Sequence, residues 1–333
     1  MHFLSLFITV LCSITGVWNA WQCNNGNWDE IALLLSLNGY DTVFYCAAYG
    51  PETDTEGLQE CLDACNPLGI DVHAWVVLWK TGKCSVEDQD RFELDGRFQI
   101  SSDGAVENWL CPTDPQNVSA MAQLCLKLAA EYPVSGIHLD YIRFSSNRVC
   151  FCDGCRERFR RFAGIRSIDW PAHCVSGGRL HDSFMQWRAF MITDAVQAVR
   201  DSLSRINRIV LLSVAGIPRE QEMRYFSQEW DLWLRSGIVD FVVPMNYTES
   251  DSEFVYWGEQ QMEIAEGRPL SCGIGSSSTS STLTSSETEH QEALAEEMGF
   301  DGWVIFYLST EFIDRLSETV QSRGSRPNPI RNQ

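Results

Sequence analysis

Eight short apolar runs alternate with helix-patterned segments along this chain. That alternation limits the fold more than any other feature. The runs are residues 16–21, 41–48, 71–78, 134–141, 208–215, 239–247, 270–275 and 302–308. They are rich in Val, Ile and aromatic residues, as strands buried on both faces are. Helical periodicity fills the gaps. Residues 28–37 carry Ile31, Leu34 and Leu35 on one face, and residues 119–132 stop at Pro133. Residues 184–206 make the longest such segment. Ser286 with Glu289 three residues on has capping-box spacing, and Gly299 closes that helix.

Eight strand-helix units predict an α/β chain folded as a single (β/α)₈ TIM barrel. The alternative, an open doubly wound sheet, would be of interest with a glycine-rich phosphate fingerprint after an early strand, and none is present. Two connections exceed what a barrel requires: residues 80–116 after the third strand and 144–179 after the fourth. Long loops on one end of a rigid scaffold usually build a cleft. The first loop holds Asp95-Gly96, which predicts a hairpin turn.

Residues 3–10 form an apolar stretch with the length of a secretory signal core, too short to span a bilayer, although no Lys or Arg precedes it. The expected organisation is a signal over residues 1–15, the barrel over 16–320 and a disordered tail over 321–333. Thr15 is the latest tolerable cut, because a barrel cannot close without its first strand. Thirteen cysteines, twelve after removal of Cys12, suit an oxidising compartment, so the protein is expected to be secreted or periplasmic. Cys84 and Cys111 flank one long loop and are a plausible bridge; the connectivity is otherwise open. A formal charge of -20 disfavours nucleic acid. No membrane association is expected after signal removal.

The fourth run, Gly136-Ile137-His138-Leu139-Asp140, is a buried strand that ends in a carboxylate. A lone charge there is costly unless it is paired or used. At the C-terminal end of a barrel strand it sits where active sites are built. The plainer alternative is an Asp paired with Arg143 or capping a helix. His138 shares a face with Asp140, and His73 with Trp75; each histidine alone is more simply a satisfied core residue. Trp79, Trp109 and Trp303 also fall on or near strand exits. Asn246, Tyr247, Glu249 and Asp251 follow the sixth strand, where Asp251 or Ser250 is well placed to cap a helix. Glu229 follows the fifth. Cys150, Cys152 and Cys155 open a basic helix with Cys174 downstream, a set that suits either structural zinc or two disulfides. No other cofactor is implied: serine-elbow, Walker and His-Glu-x-x-His motifs are absent.

Residues 136–144 with the Cys150-Phe151-Cys152-Asp153-Gly154-Cys155 cluster resemble the glycosyl-hydrolase-like barrels of the family-10-type group. Asn108-Trp109-Leu110-Cys111-Pro112, Gln228-Glu229-Trp230 and Pro244-Met245-Asn246-Tyr247-Thr248 fit the same resemblance in the same order. It covers about residues 16–320 and implies a TIM barrel, secretion and action on carbohydrate, with Asp140 as leading carboxylate. Related members often carry Asp where this chain has Asn246 and Glu229.

The expected function is therefore a secreted glycoside hydrolase or hydrolase-like protein that uses a carboxylate pair. Asp140 is the nucleophile or base. Glu249 is the first choice for acid, with Glu229 and Asp251 behind it. His73, Trp75, Trp79, His138, Arg143, Asn246, Tyr247, Asp251 and Trp303 are candidate substrate contacts. The main alternative is a non-catalytic carbohydrate-binding barrel, favoured by Asn246. A metal-dependent hydrolase built on His73, His138 and Asp140 is a third reading.

Overall fold

The apolar runs form eight parallel strands: β1 Ile14–Asn19, β2 Thr42–Tyr49, β3 Asp71–Val77, β4 Gly136–Asp140, β5 Leu211–Gly216, β6 Phe241–Pro244, β7 Cys272–Gly275 and β8 Gly302–Phe306. They hydrogen-bond in the order β7-β8-β1-β2-β3-β4-β5-β6. Parallel bridges Val242–Leu270 and Met245–Gly273 link β6 to β7, so the barrel is nearly closed. This computed structural model describes residues 13–23 and 26–324. Most of the expected signal, with Cys12, and the end of the expected tail lie outside those residues. Among the described residues no helix is long and apolar enough to cross a membrane.

Side-chain alternation divides the apolar residues into two cores. Ile14, Trp18, Phe44, Trp75, Phe241 and Val304 fill the barrel interior. Val17, Val43, Ala74, Ile137, Leu212 and Ile305 pack outward against the helices. The interior is crowded enough to demand glycine at Gly136, where a Cβ would meet His73 Nδ1 at 2.4 Å. The longest helix, His181–Leu203, turns Phe184, Trp187, Ile192, Val196 and Val199 inward.

β1 begins at Ile14, two residues earlier than the pattern predicts, because Ile14 and Thr15 pair with Gly302 and Trp303. Asp95-Gly96 does not turn a hairpin. It ends the helix Val86–Leu94, which Ser85 caps by accepting from the Asp88 N–H. The hairpin lies beyond it, Phe98–Ile100 against Val106–Leu110. The capping box is Thr284 with Glu287 rather than Ser286 with Glu289, since the Thr284 side chain accepts from the Glu287 N–H and the Glu287 carboxylate accepts from the Thr284 N–H. No disulfide joins the described cysteines. The expected Cys84–Cys111 bridge is not formed; the Cys111 sulfur lies instead 3.5 Å from that of Cys155.

Candidate active site

Strand alternation carries Asp140 to the C-terminal mouth of the barrel, opposite Val77 of β3. The next residue, Tyr141, takes a left-handed conformation at φ 56°, and so does Trp79 at the exit of β3, φ 60°. Bulky residues rarely adopt that region, and such strain gathers at functional sites. At β4 the turn brings the Tyr141 N–H to Asp140 Oδ1 at 2.6 Å.

Asp140 is 6% exposed. Burial pushes its carboxyl up to about 6, against smaller opposing pulls from the Tyr141 N–H, Arg143 and Lys80. The Trp75 indole N–H adds a weaker pull without meeting hydrogen-bond geometry. A carboxyl so placed exchanges its proton near neutrality.

Asp140 opens into a cavity of about 240 Å³ walled by Trp18, Trp21, Tyr49, Trp75, Tyr247 and Phe306, with Arg143 at its edge. Tyr247 stacks on Phe306 with centroids 5.2 Å apart. Arg143 lies 5.1 Å over Tyr141 and 5.3 Å over Trp109. Among the described residues lining the cavity, Asp140 is the only carboxylate. The other carboxylate whose charge reaches Arg143 is Glu222, on the helix Glu220–Phe226 after β5, where Arg219 pairs with it. A larger apolar hollow of about 480 Å³ opens at the opposite end of the barrel; its carboxylate, Asp240, is already paired with Arg200.

The remaining predicted residues separate by position. His138 is fully buried below the cavity. Its Nε2 accepts from the Trp18 indole at 3.2 Å, and its Nδ1 lies 2.8 Å from Ser213 Oγ. His73 is buried beside Phe44, with its imidazole lowered to about 4 by burial, so it stays neutral. These two histidines do not converge with Asp140 on a common ion position: among the described residues only a cysteine group does so. Trp79 lines a separate hollow with Phe92 and Arg97. Trp303 faces outward, edge-on to Tyr40 at 5.5 Å.

Asn246 also faces outward. It exchanges two hydrogen bonds with Gln261, at 3.0 and 2.6 Å, while its neighbours Met245 and Tyr247 face the cavity. Glu249 is exposed and accepts from the Thr282 N–H at 3.0 Å. Glu229 pairs with Arg224 at 3.0 Å, and Asp251 with His290 at 3.3 Å. Ser250, not Asp251, caps the helix Asp251–Ala265. None of these three carboxylates lines the cavity.

Sequence reasoning missed Trp18, Trp21, Tyr49, Phe306 and Glu222. The four aromatics stand at the exits of β1, β2 and β8, so their signal was present in strand parity. Glu222 follows a strand by several residues on a short helix, where parity gives no guide.

A family model described as glycosyl hydrolase-like 10 matches residues 48–266. Comparison with curated proteins returned no match. Among solved structures, the glycoside hydrolase domain of PgaB (BpsB) from Bordetella bronchiseptica is similar at TM-score 0.68 and 12% identity, over 93% of this chain and 97% of that one. Gan42B, a GH42 β-galactosidase from G. stearothermophilus, gives TM-score 0.68 and 11% identity over 90% of this chain; the match spans 51% of that longer chain. An endo-1,4-β-D-mannanase from Thermotoga petrophila gives 0.54 and 13%, covering 89% and 88%. At such identities these likenesses establish the barrel fold alone.

Proposed function

The chain belongs to the glycosyl hydrolase-like 10 family, and on that premise we propose that it is a secreted glycoside hydrolase whose key carboxyl is Asp140. The observation that carries the reading is a single buried carboxyl, with its proton affinity raised, at the floor of an aromatic cavity on the C-terminal face. Aromatic walls suit the apolar faces of a sugar ring, and the polar tips of Tyr49, Tyr247 and Arg143 suit its hydroxyls. A cavity of about 240 Å³ is smaller than most ligand pockets, which start at about 300 Å³. It has room for one ring of a glycan, whose other rings would lie outside it.

In this reading Asp140 donates a proton to the departing glycosidic oxygen, or takes one from water, according to its charge state. The second carboxylate comes from a neighbouring loop. Glu222, Glu249, Glu229 and Asp251 are its candidates, and single amide variants separate them: the one whose loss abolishes turnover while the others retain it is assigned.

A second reading, a carbohydrate-binding barrel without turnover, is favoured by one observation: the cavity lining offers Asp140 no carboxylate partner. Hydrolysis of a polysaccharide and aryl-glycoside panel, with Asp140→Asn alongside, distinguishes the two. Product from the parent that vanishes with the variant supports the hydrolase. Glycan binding by both without product from either overturns it in favour of the binding barrel.

A further inference from the structure

Four cysteines outside the cavity converge on one point. Cys111 lies at the end of the β3 loop, just beyond the hairpin strand Val106–Leu110. Cys150 and Cys152 lie in the β4 loop, and Cys155 in the first turn of the helix Asp153–Phe162. All four sulfurs fall within 4.8 Å of one another. Tetrahedral zinc with bonds of about 2.3 Å spaces its thiolates about 3.8 Å apart, whereas a disulfide draws two sulfurs to about 2.05 Å. The Cys111–Cys155 separation, 3.5 Å, fits the first arrangement. Cys174, the expected fourth member, is not part of the group.

The surroundings are built for negative charge. The Ile100 N–H points at Cys150 Sγ, and the Cys155 N–H at Cys152 Sγ, each at 3.3 Å. Thr113 Oγ1 lies 3.1 Å from Cys155 Sγ and 3.3 Å from Cys111 Sγ, while Arg158 donates to that hydroxyl through two nitrogens. Arg188 is fully buried; it donates to the Ser146 carbonyl at 2.6 Å, and no carboxylate pairs with it among the described residues. Burial disfavours its cationic form, and the Cys155 and Cys150 sulfurs, when ionised, are the first groups to oppose that. A buried, uncompensated guanidinium is costly. Four thiolates around one divalent ion carry a net charge of about -2, which offsets both arginines.

We propose that Cys111, Cys150, Cys152 and Cys155 form a structural zinc site that ties the β3 loop to the β4 loop. Four protein ligands leave no open position, so its role is structural rather than catalytic. Arg188 braces the chain between Arg143 and Cys150, because its side chain stacks 4.2 Å over Phe144 and donates to the Ser146 carbonyl. The inference stands independently of the glycosidase reading.

The test is metal content of the full chain, purified without chelator and also reconstituted with zinc under reducing conditions. The expected result is about one zinc per chain, falling below about a tenth in Cys111→Ser and Cys152→Ser and retained in Cys174→Ser. Cobalt exchange should give thiolate-to-cobalt charge transfer with tetrahedral visible bands, and bound metal should shield the four thiols from alkylation. These readings use the parent chain, so they decide the matter even if the serine variants misfold. Absence of metal after reconstitution, or peptides from the unreduced protein that join any two of the four cysteines, overturns the proposal.

Discussion

At the scale of single residues, the burial that equips Asp140 for proton transfer also costs stability. The folded carboxyl keeps its proton to about pH 6, whereas the unfolded one releases it near 3.8. Between those values the folded state binds more protons, so stability falls as pH rises through the window. Above it the whole penalty, about 3 kcal/mol, is present. Asp140→Asn carries no charge and keeps an oxygen for the Tyr141 N–H. It is therefore expected to raise unfolding free energy at pH 7 by about 1–3 kcal/mol, with little gain at pH 4. Urea titrations at the two pH values check this, and a variant less stable than the parent at pH 7 would sink it. The same proton affinity fixes the direction of the pH-rate profile. If Asp140 is the acid, turnover falls above about pH 6; if it is nucleophile or base, turnover rises through that value. A profile flat from pH 5 to 7 would remove Asp140 from the chemistry.

At the scale of elements, His138 ties β4 to the adjacent strand β5 and, across the barrel interior, to β1. It accepts from Trp18 of β1 and meets Ser213 of β5. His138→Leu leaves the buried indole N–H and hydroxyl unpaired, at about 1–3 kcal/mol each. The expected loss is about 2–5 kcal/mol in denaturant unfolding; a loss under about 1 kcal/mol, with glycan affinity reduced, would restore the substrate-contact role read from the sequence. This residue shows what was legible in the sequence. Period-two parity put His138 and Asp140 on the inner face, and it did so correctly, but parity does not give depth along the barrel axis. Depth separates a core histidine from a residue at the mouth. The strand ends were less legible still. Asn246 was read as a site residue because it stands at a strand exit; the chain there sends Tyr247 inward and Asn246 toward Gln261. The Cys111 partnership was hidden for a related reason, since only the pairing of two long loops brings residue 111 to residues 150–155.

At the scale of the whole molecule, the barrel's integrity depends on two seams of unequal strength. β6 and β7 meet through two isolated bridges, whereas β8 and β1 pair continuously over five residues beginning with Ile14 and Gly302. The second seam therefore carries much of the closure, and its first residues matter. Ile14 is buried in the interior; its N–H donates to the Asp301 carbonyl at 3.1 Å. The Thr15 N–H donates to Asp41 Oδ1 at 3.0 Å, and the Thr15 carbonyl accepts from the Asp41 N–H at 2.9 Å. Loss of that side-chain burial and those bonds amounts to about 3–6 kcal/mol. A chain starting at Gly16 is accordingly expected to melt at least about 6 °C below one starting at Ser13, given about 2–4 °C per kcal/mol in large domains. Equal midpoints by scanning calorimetry would show that the seam closes without its first two residues. The same geometry constrains processing: a secreted form is expected to begin no later than Ile14, because a cut after Thr15 removes the pairing of Ile14 with Gly302 and of Thr15 with Trp303. N-terminal sequencing of whatever form is secreted reads that boundary directly, and a mature form beginning at Gly16 or beyond would mean that β1 tolerates a shorter start than its hydrogen bonding implies.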